Sequence, residues 1–271
     1  MTILCLHGAY GSALVKPDVD HRSSSIANQT HQHFETQLRP FIDAVQRTSP
    51  AQFKWINGGH PATPPDGFDE YFGPGPLYRF IDFDGVSELD DILSKLRDIP
   101  EGVTAEDAMR RLMGDKQSFN ASAVRNTLNS LLEVLDSDPS ITGILGYSEG
   151  ATVAASLILE EKRRFEEEGR PRHIKNAVFF AGWPPVRLVD DAVECLLADE
   201  CDNIIDIPTC HVVGCNDPYI DGAMALFGMC DEDSAILFDH GKGHTVPRDP
   251  RTLQELVFVV HGVWRPLGIM V

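Results

Sequence analysis

Short apolar runs recur along this chain, and longer stretches with apolar residues at helical spacing lie between them. Residues 3–6, 53–56, 141–146, 177–181, 210–213 and 235–238 are hydrophobic nearly throughout instead of alternating with polar positions. Such runs predict strands covered on both faces, as in a parallel sheet packed between helices. Residues 34–47, 121–135, 150–168 and 252–264 predict helices. In the first of these, Phe34, Leu38, Phe41, Ile42 and Val45 fall on one face and predict a buried stripe. The run 160–168 mixes both charge signs, which predicts a solvated helix end closed by Gly169 and Pro171. The alternation predicts an α/β protein with a mostly parallel sheet of about six strands flanked by helices.

One region breaks this rhythm. Residues 58–84 are rich in Gly, Pro and aromatics, with Tyr71, Phe72 and Tyr78 set among Pro61, Pro64, Pro65, Pro74 and Pro76. A stretch of this length is functional or disordered, and its aromatics argue against disorder. Residues 61–119 are expected to form a cap over the carboxyl edge of the sheet. No repeat or linker divides the chain, so residues 1–271 are expected to form a single domain.

Charge narrows the possible partners. Asp and Glu number 41 against 23 Lys and Arg, a formal net charge of −18. Phosphate backbones and anionic lipid repel such a chain, so neither nucleic acid nor a membrane surface is an expected partner. No secretory signal is evident, because the opening apolar run is only four residues long and lacks a basic flank. No segment approaches the ~18 uninterrupted apolar residues of a membrane span. Six scattered cysteines form no C-x-x-C pair. The chain thus reads as a soluble cytoplasmic protein with reduced thiols.

The strongest chemical signal is Gly146-Tyr147-Ser148-Glu149-Gly150, between an apolar run and a helical one. G-x-S-x-G in that setting is a nucleophile elbow. The turn must lift the serine hydroxyl clear of the backbone, and small residues two before and two after it prevent clashes with strand and helix. The serine then stands at a helix N-terminus, which favours developing negative charge. A serine hydroxyl is a poor nucleophile without an adjacent base. In hydrolases of this kind the chain order is serine, acid, histidine. The loop Asp239-His240-Gly241-Lys242-Gly243-His244 follows the last predicted strand, and His244 is the preferred base over His240. An H-x-x-x-H spacing hints at zinc, but the Gly-Lys-Gly between the two argues against a helix and no third ligand stands out, so no metal is expected. Directly after the strand at 210–213 comes Gly214-Cys215-Asn216-Asp217-Pro218, which places Asp217 at a strand's carboxyl end, where it can hold the imidazole in one tautomer; Asp221 is its rival.

An oxyanion hole needs two backbone N–H groups aimed at the charge that develops on the carbonyl oxygen. One is expected from Glu149 and the other from Ala9 or Tyr10, in the loop after the first strand. His7 is expected to shape that loop.

These motifs resemble the fungal family of serine hydrolases. Cys5-Leu6-His7-Gly8, the elbow, Gly214-Cys215-Asn216-Asp217-Pro218 and Gly243-His244-Thr245-Val246-Pro247 occur in the family's order, over about residues 3–262. The resemblance implies an α/β-hydrolase fold and the triad Ser148, Asp217 and His244, with no cofactor. The stretches 33–38 and 70–72 look closest to polyketide-releasing thioesterases such as that of the lovastatin pathway. The loop from Ser12 to Asn28 is longer than the family pattern.

Two activities fit this chemistry. A thioesterase would release an acyl or polyketide chain from an acyl carrier protein of a polyketide synthase. Tyr71 and Phe72, with Tyr78 and Phe80, would bind the apolar chain, and Arg22, Lys54, Arg79, Arg110, Arg111 and Lys116 could supply a basic patch for the carrier. A carboxylesterase acting on small or lipophilic esters would use the same residues. A non-catalytic binding protein would be expected to lack a triad residue, and all three are present. The motifs of nucleotide-binding enzymes are absent.

Overall fold

The computed structural model describes residues 1–13, 34–64, 72, 75–81, 95, 98–100, 102–113, 120–202 and 204–264. Six strands form one parallel sheet: β1 (Thr2–Leu6), β2 (Gln52–Ile56), β5 (Ile141–Tyr147), β6 (Asn176–Phe180), β9 (Thr209–Val213) and β10 (Ala235–Asp239). These are the six predicted runs, with ends shifted by a residue or so. Their order across the sheet is β10-β9-β6-β5-β1-β2. The chain therefore steps from β1 to β2 on one side and returns to β5 on the other. In open α/β sheets the crevice for ligands lies beyond the strands' carboxyl ends at such a switch point.

The helices α1 (Phe34–Gln46), α3 (Ala121–Ser137), α4 (Glu149–Glu168) and α6 (Pro250–Trp264) match the four predicted ones. Two further helices, α2 (Ala105–Met113) and α5 (Ile220–Gly228), were not foreseen. Alternate strand residues face opposite ways, and each set meets its own helix layer. Ile3, Cys5, Leu145, Val178, Phe180 and Val212 pack with α1 and α6, against Phe34, Leu38, Phe41, Leu256 and Val260. Leu4, Leu6, Ile144, Ala177 and Phe179 pack with α3 and α4. The predicted stripe of α1 is buried at all five positions. Gly169 closes α4 in the left-handed conformation that glycine tolerates.

Burial on both faces holds for β1, β6 and β9, but not for the edges. Ile236 and Leu237 of β10 are exposed, and β2 is only partly covered. Hydrophobicity marks a strand, while its neighbours decide how much of it is covered.

The expected cap, residues 61–119, is described in pieces. Within it, β3 (His60–Ala62) and β4 (Leu77–Arg79) form an antiparallel hairpin, and the residues just after β4 belong to the core. Phe80 and Ile81 are almost fully buried there, and the Thr127 hydroxyl of α3 donates to the Phe80 carbonyl at 2.6 Å. Phe80 therefore packs as core rather than facing a substrate. A second hairpin joins β7 (Val186–Val189) and β8 (Ala192–Cys195). Helix α2 lies on α5, with Met109 and Leu112 packed on Leu197 and Ala225. Most of the long loop after β1 falls outside the described residues. Among the described residues, no helix is long and apolar enough to cross a membrane. All six cysteine thiols are free.

One buried histidine is expected to make the fold acid-sensitive. His211 of β9 lies between the rings of Phe179 and Phe227, each 5.1 Å away, with Nε2 against the Thr209 hydroxyl at 3.1 Å. Burial pushes its pKa down to about 3. Between that value and the ordinary 6.5, the unfolded chain binds a proton that the folded chain does not, so stability falls as pH drops through this window. At pH 5 the loss from this residue alone is about 2 kcal/mol. Urea midpoints of wild type and His211→Asn are expected to diverge less at pH 5 than at pH 7.5. Parallel pH curves would show that His211 is not the sensor.

Candidate active site

The carboxyl ends of β1 and β5, at the switch point, carry the two loops on which the chemistry depends. Tyr147 ends β5, α4 begins at Glu149, and Ser148 turns the chain between them at φ 53°, ψ −120°. A non-glycine residue is strained at that φ. The surroundings hold it there: Ser148 N–H donates to the Phe180 carbonyl at 2.8 Å, and the Ser148 carbonyl accepts from Ala151 N–H at 2.9 Å. A Cβ on Gly146 would sit 2.4 Å from the Gly150 carbonyl oxygen, and one on Gly150 2.3 Å from that of Leu6. Both glycines are therefore required by close backbone approach. The Ser148 side chain makes no capping hydrogen bond to its helix.

His244 and Asp217 are brought together. His244 Nδ1 lies 2.7 Å from Asp217 Oδ2, and the carboxylate is nearly buried. Its other oxygen accepts from Tyr219 N–H at 2.8 Å, so both acceptors are engaged. This leaves the imidazole Nε2 as the nitrogen that can accept a proton. The ring stands beside the elbow, 5.3 Å from the ring of Tyr147, whose hydroxyl donates to the His244 carbonyl at 3.2 Å. Tyr219 covers it from another side at 5.2 Å and in turn meets Trp183 at 5.9 Å. Neither rival takes part in the His244–Asp217 hydrogen bond. Asp221 lies in the first turn of α5, where burial raises its pKa. His240 donates its backbone N–H to Val213, and burial lowers its imidazole pKa. Among the described residues, no cluster of three His, Cys, Asp or Glu is placed to hold a metal.

The loops bearing Asp217 and His244 are bonded to each other. Asp239 Oδ1 accepts from both Cys215 N–H at 3.0 Å and Gly241 N–H at 2.7 Å. Asn216 donates from its backbone to the Lys242 carbonyl at 3.0 Å and from its side chain to that of Gly241 at 3.0 Å. A Cβ on Gly214 would lie 2.1 Å from the Lys242 carbonyl oxygen.

The loop after β1 is held by His7, as anticipated. Gly58 N–H donates to His7 Nε2 at 3.0 Å, so the proton sits on Nδ1, which donates to the Gly8 carbonyl at 2.7 Å. Burial lowers its pKa, which keeps the ring neutral. Gly11 N–H is taken by the Gly8 carbonyl at 3.1 Å, and Tyr10 stands at φ 55°. Gly8 of this loop packs on the elbow, since a Cβ there would meet the Ser148 Cβ at 3.3 Å, and the Glu149 N–H belongs to a first helical turn without intrahelical partners.

The remaining expectations divide. Phe72 meets the Tyr10 ring at 5.0 Å, beside this loop. Tyr71 lies outside the described residues, as do Arg22 and Lys116. The basic patch is largely neutralised: Lys54 pairs with Asp138, Arg79 with Glu149, and Arg110 with Asp107, Asp199 and Glu200. Sequence reasoning missed the aromatic enclosure of His244 and the side-chain role of Glu149. Tyr147 lay inside the elbow motif and Tyr219 two residues past Asp217, so position alone flagged them.

The chain is similar to several known proteins. Esterase FPY3 of Fusarium mangiferae is 23% identical over 268 residues, covering 97% of this chain and 96% of that protein. Esterase FUS5 of Gibberella fujikuroi is 30% identical over 265 residues, covering 97% and 87%. Among solved structures, a protein of unknown function from Agrobacterium tumefaciens superposes with a TM-score of 0.50 at 10% identity, over 97% of this chain and 91% of that one. Residues 27–256 match the serine hydrolase (FSH1) family, and with the elbow and the six-stranded parallel sheet in place the chain belongs to that family of α/β hydrolases.

Proposed function

We propose that this hydrolase cleaves the thioester of an apolar, polyketide-type acyl chain through an acyl-enzyme, releasing it from an acyl carrier protein in the cytoplasm. In this reading Ser148 Oγ attacks the carbonyl carbon while His244 Nε2 takes its proton, and the carbonyl π electrons move to oxygen. Asp217 orients the imidazole and balances its charge. The Glu149 N–H and that of Ala9 or Tyr10 receive the oxyanion. Its collapse breaks the bond to the leaving thiolate, which His244 protonates; water then gives a proton to His244 and attacks the acyl carbon, and collapse of this second adduct expels Ser148 Oγ, which takes that proton as the acid leaves. The hydrogen bond between His244 and the nearly buried Asp217, beside the strained Ser148, supports the hydrolytic core of this reading. The contact between Phe72 and Tyr10 carries the acyl-chain part, since it sets an aromatic surface beside the proposed oxyanion loop.

A second reading, a carboxylesterase for lipophilic esters, is favoured by two observations. Relatives are named esterases, and the cations available to an acidic carrier are mostly paired. Comparing kcat/KM for one acyl group on a carrier protein, on a short thiol and on an alcohol separates the two. Release from a carrier predicts the highest value on the carrier, because remote contacts position the carbonyl over Ser148. Equal values for carrier and short thiol would remove carrier recognition, and preference for the alcohol ester would establish the second reading.

A further inference from the structure

Immediately beside the proposed oxyanion hole lies a charged pair that the acyl-transfer scheme above does not use. The Glu149 side chain turns back from the elbow and is nearly buried, at 7% exposure, and Arg79 beside it is 17% exposed. Glu149 Oε2 accepts from Arg79 Nε at 2.8 Å, while Oε1 accepts from the N–H groups of Phe80 at 2.6 Å and Ile81 at 3.3 Å. The Arg79 guanidinium lies over the ring of Tyr10, 5.2 Å from its centroid. Tyr78 N–H, just before Arg79, donates to the Gly11 carbonyl at 2.8 Å. One side chain thus links the residue after Ser148 to β4, and through Arg79 to the loop after β1.

Charge makes this arrangement more than a brace. By covalent geometry the Glu149 carboxylate lies within about 5 Å of its own backbone N–H. A lone carboxylate there would oppose an oxyanion bound at that N–H. Two like charges about 7 Å apart, at the effective dielectric of a protein site, alter a rate constant by tens of fold. Arg79 cancels that charge and also stands on the face of Tyr10, one of the two residues able to supply the second N–H.

We propose that Arg79 and Glu149 form a positioning pair that joins the two halves of the oxyanion hole, with Arg79 neutralising the carboxylate that would otherwise repel the developing oxyanion. The proposal rests on the serine-hydrolase reading above. Arg79→Met is expected to lower kcat about 30-fold with KM changed by less than about threefold, because the ground state carries no oxyanion. Binding of a boronic acid, which forms an anionic tetrahedral adduct on the serine, is expected to weaken in parallel. Arg79→Met/Glu149→Gln removes both charges and is expected to return kcat to within about tenfold of wild type.

A purely structural brace predicts the opposite, a double variant as impaired as the single or more so, and that result would overturn the proposal. Loss of a partner from a buried pair can prevent folding. If Arg79→Met does not fold, the double variant alone decides: a folded double variant reduced about 100-fold or more refutes the pair's electrostatic role. Fluorophosphonate labelling keeps the two readings apart. Failure to label Ser148 in wild type would sink the serine-hydrolase reading, whereas failure of the pair shows only in the pattern of kcat and boronate affinity.

Discussion

Replacing Ser148 by alanine is expected to leave a folded protein whose ester and thioester turnover falls by roughly 10⁴-fold or more. The expectation of a folded product rests on the local bonding. Ser148 is held through its backbone, by Phe180 and Ala151, and its side chain caps nothing. What disappears is the only atom that can form the acyl-enzyme, while the oxyanion donors remain to give a small residual rate. A fluorophosphonate should label wild type at Ser148 and leave the variant unlabelled. Labelling at a different serine, or turnover preserved in the alanine variant with an unchanged melting temperature, would refute the assignment.

The second large effect is expected at His244. His244→Ala should match the Ser148→Ala loss, since groups that act as one unit give similar single-variant losses. Asp217→Asn should fall slightly short of both, at about 10³- to 10⁴-fold, because asparagine can still accept from Tyr219 N–H but favours the wrong imidazole tautomer. His240→Ala should cost less than about tenfold, as Nδ1 of His244, not His240, is bonded to the buried acid. Steady-state kinetics on a single ester settles the order. An active His244 variant beside an inactive His240 variant would move the base.

The sheet was readable because strands covered on both faces are apolar at most positions instead of every second one, as in residues 3–6 or 177–180. The hairpins escaped notice for the complementary reason. His60–Ala62 and Leu77–Arg79 are three residues each, too short for any period to register. Helix Ile220–Gly228 contains two glycines, which read as loop residues until its apolar face meets Ala105–Met113. At the site, Ser148 was legible because the elbow imposes local steric rules on its own neighbours. Asp217 was separable from Asp221 because it lies in the short turn that follows a strand and is pinned by Pro218, whereas Asp221 lies four residues further on. The bonds from Glu149 to Arg79 and Phe80 span about 70 residues, and no local pattern announces them. The same distance explains the misassignment of Phe80. An aromatic in a Gly- and Pro-rich segment looks like surface until the ring of His7 is found 4.7 Å from it.

The cross-bonding of the loops that carry Asp217 and His244 bears on how this enzyme could be re-engineered or could have diverged. Backbone groups of Cys215 and Asn216 are matched to the Asp239 side chain and the Lys242 carbonyl, with no space at Gly214 for a larger residue. Each loop is held by hydrogen bonds to the other. A chimera that imports one of them from a relative inherits half of a lock, misplacing acid against base even when both residues are retained. Residues 214–217 and 239–244 therefore form a single heritable cassette, to be recombined together or left alone.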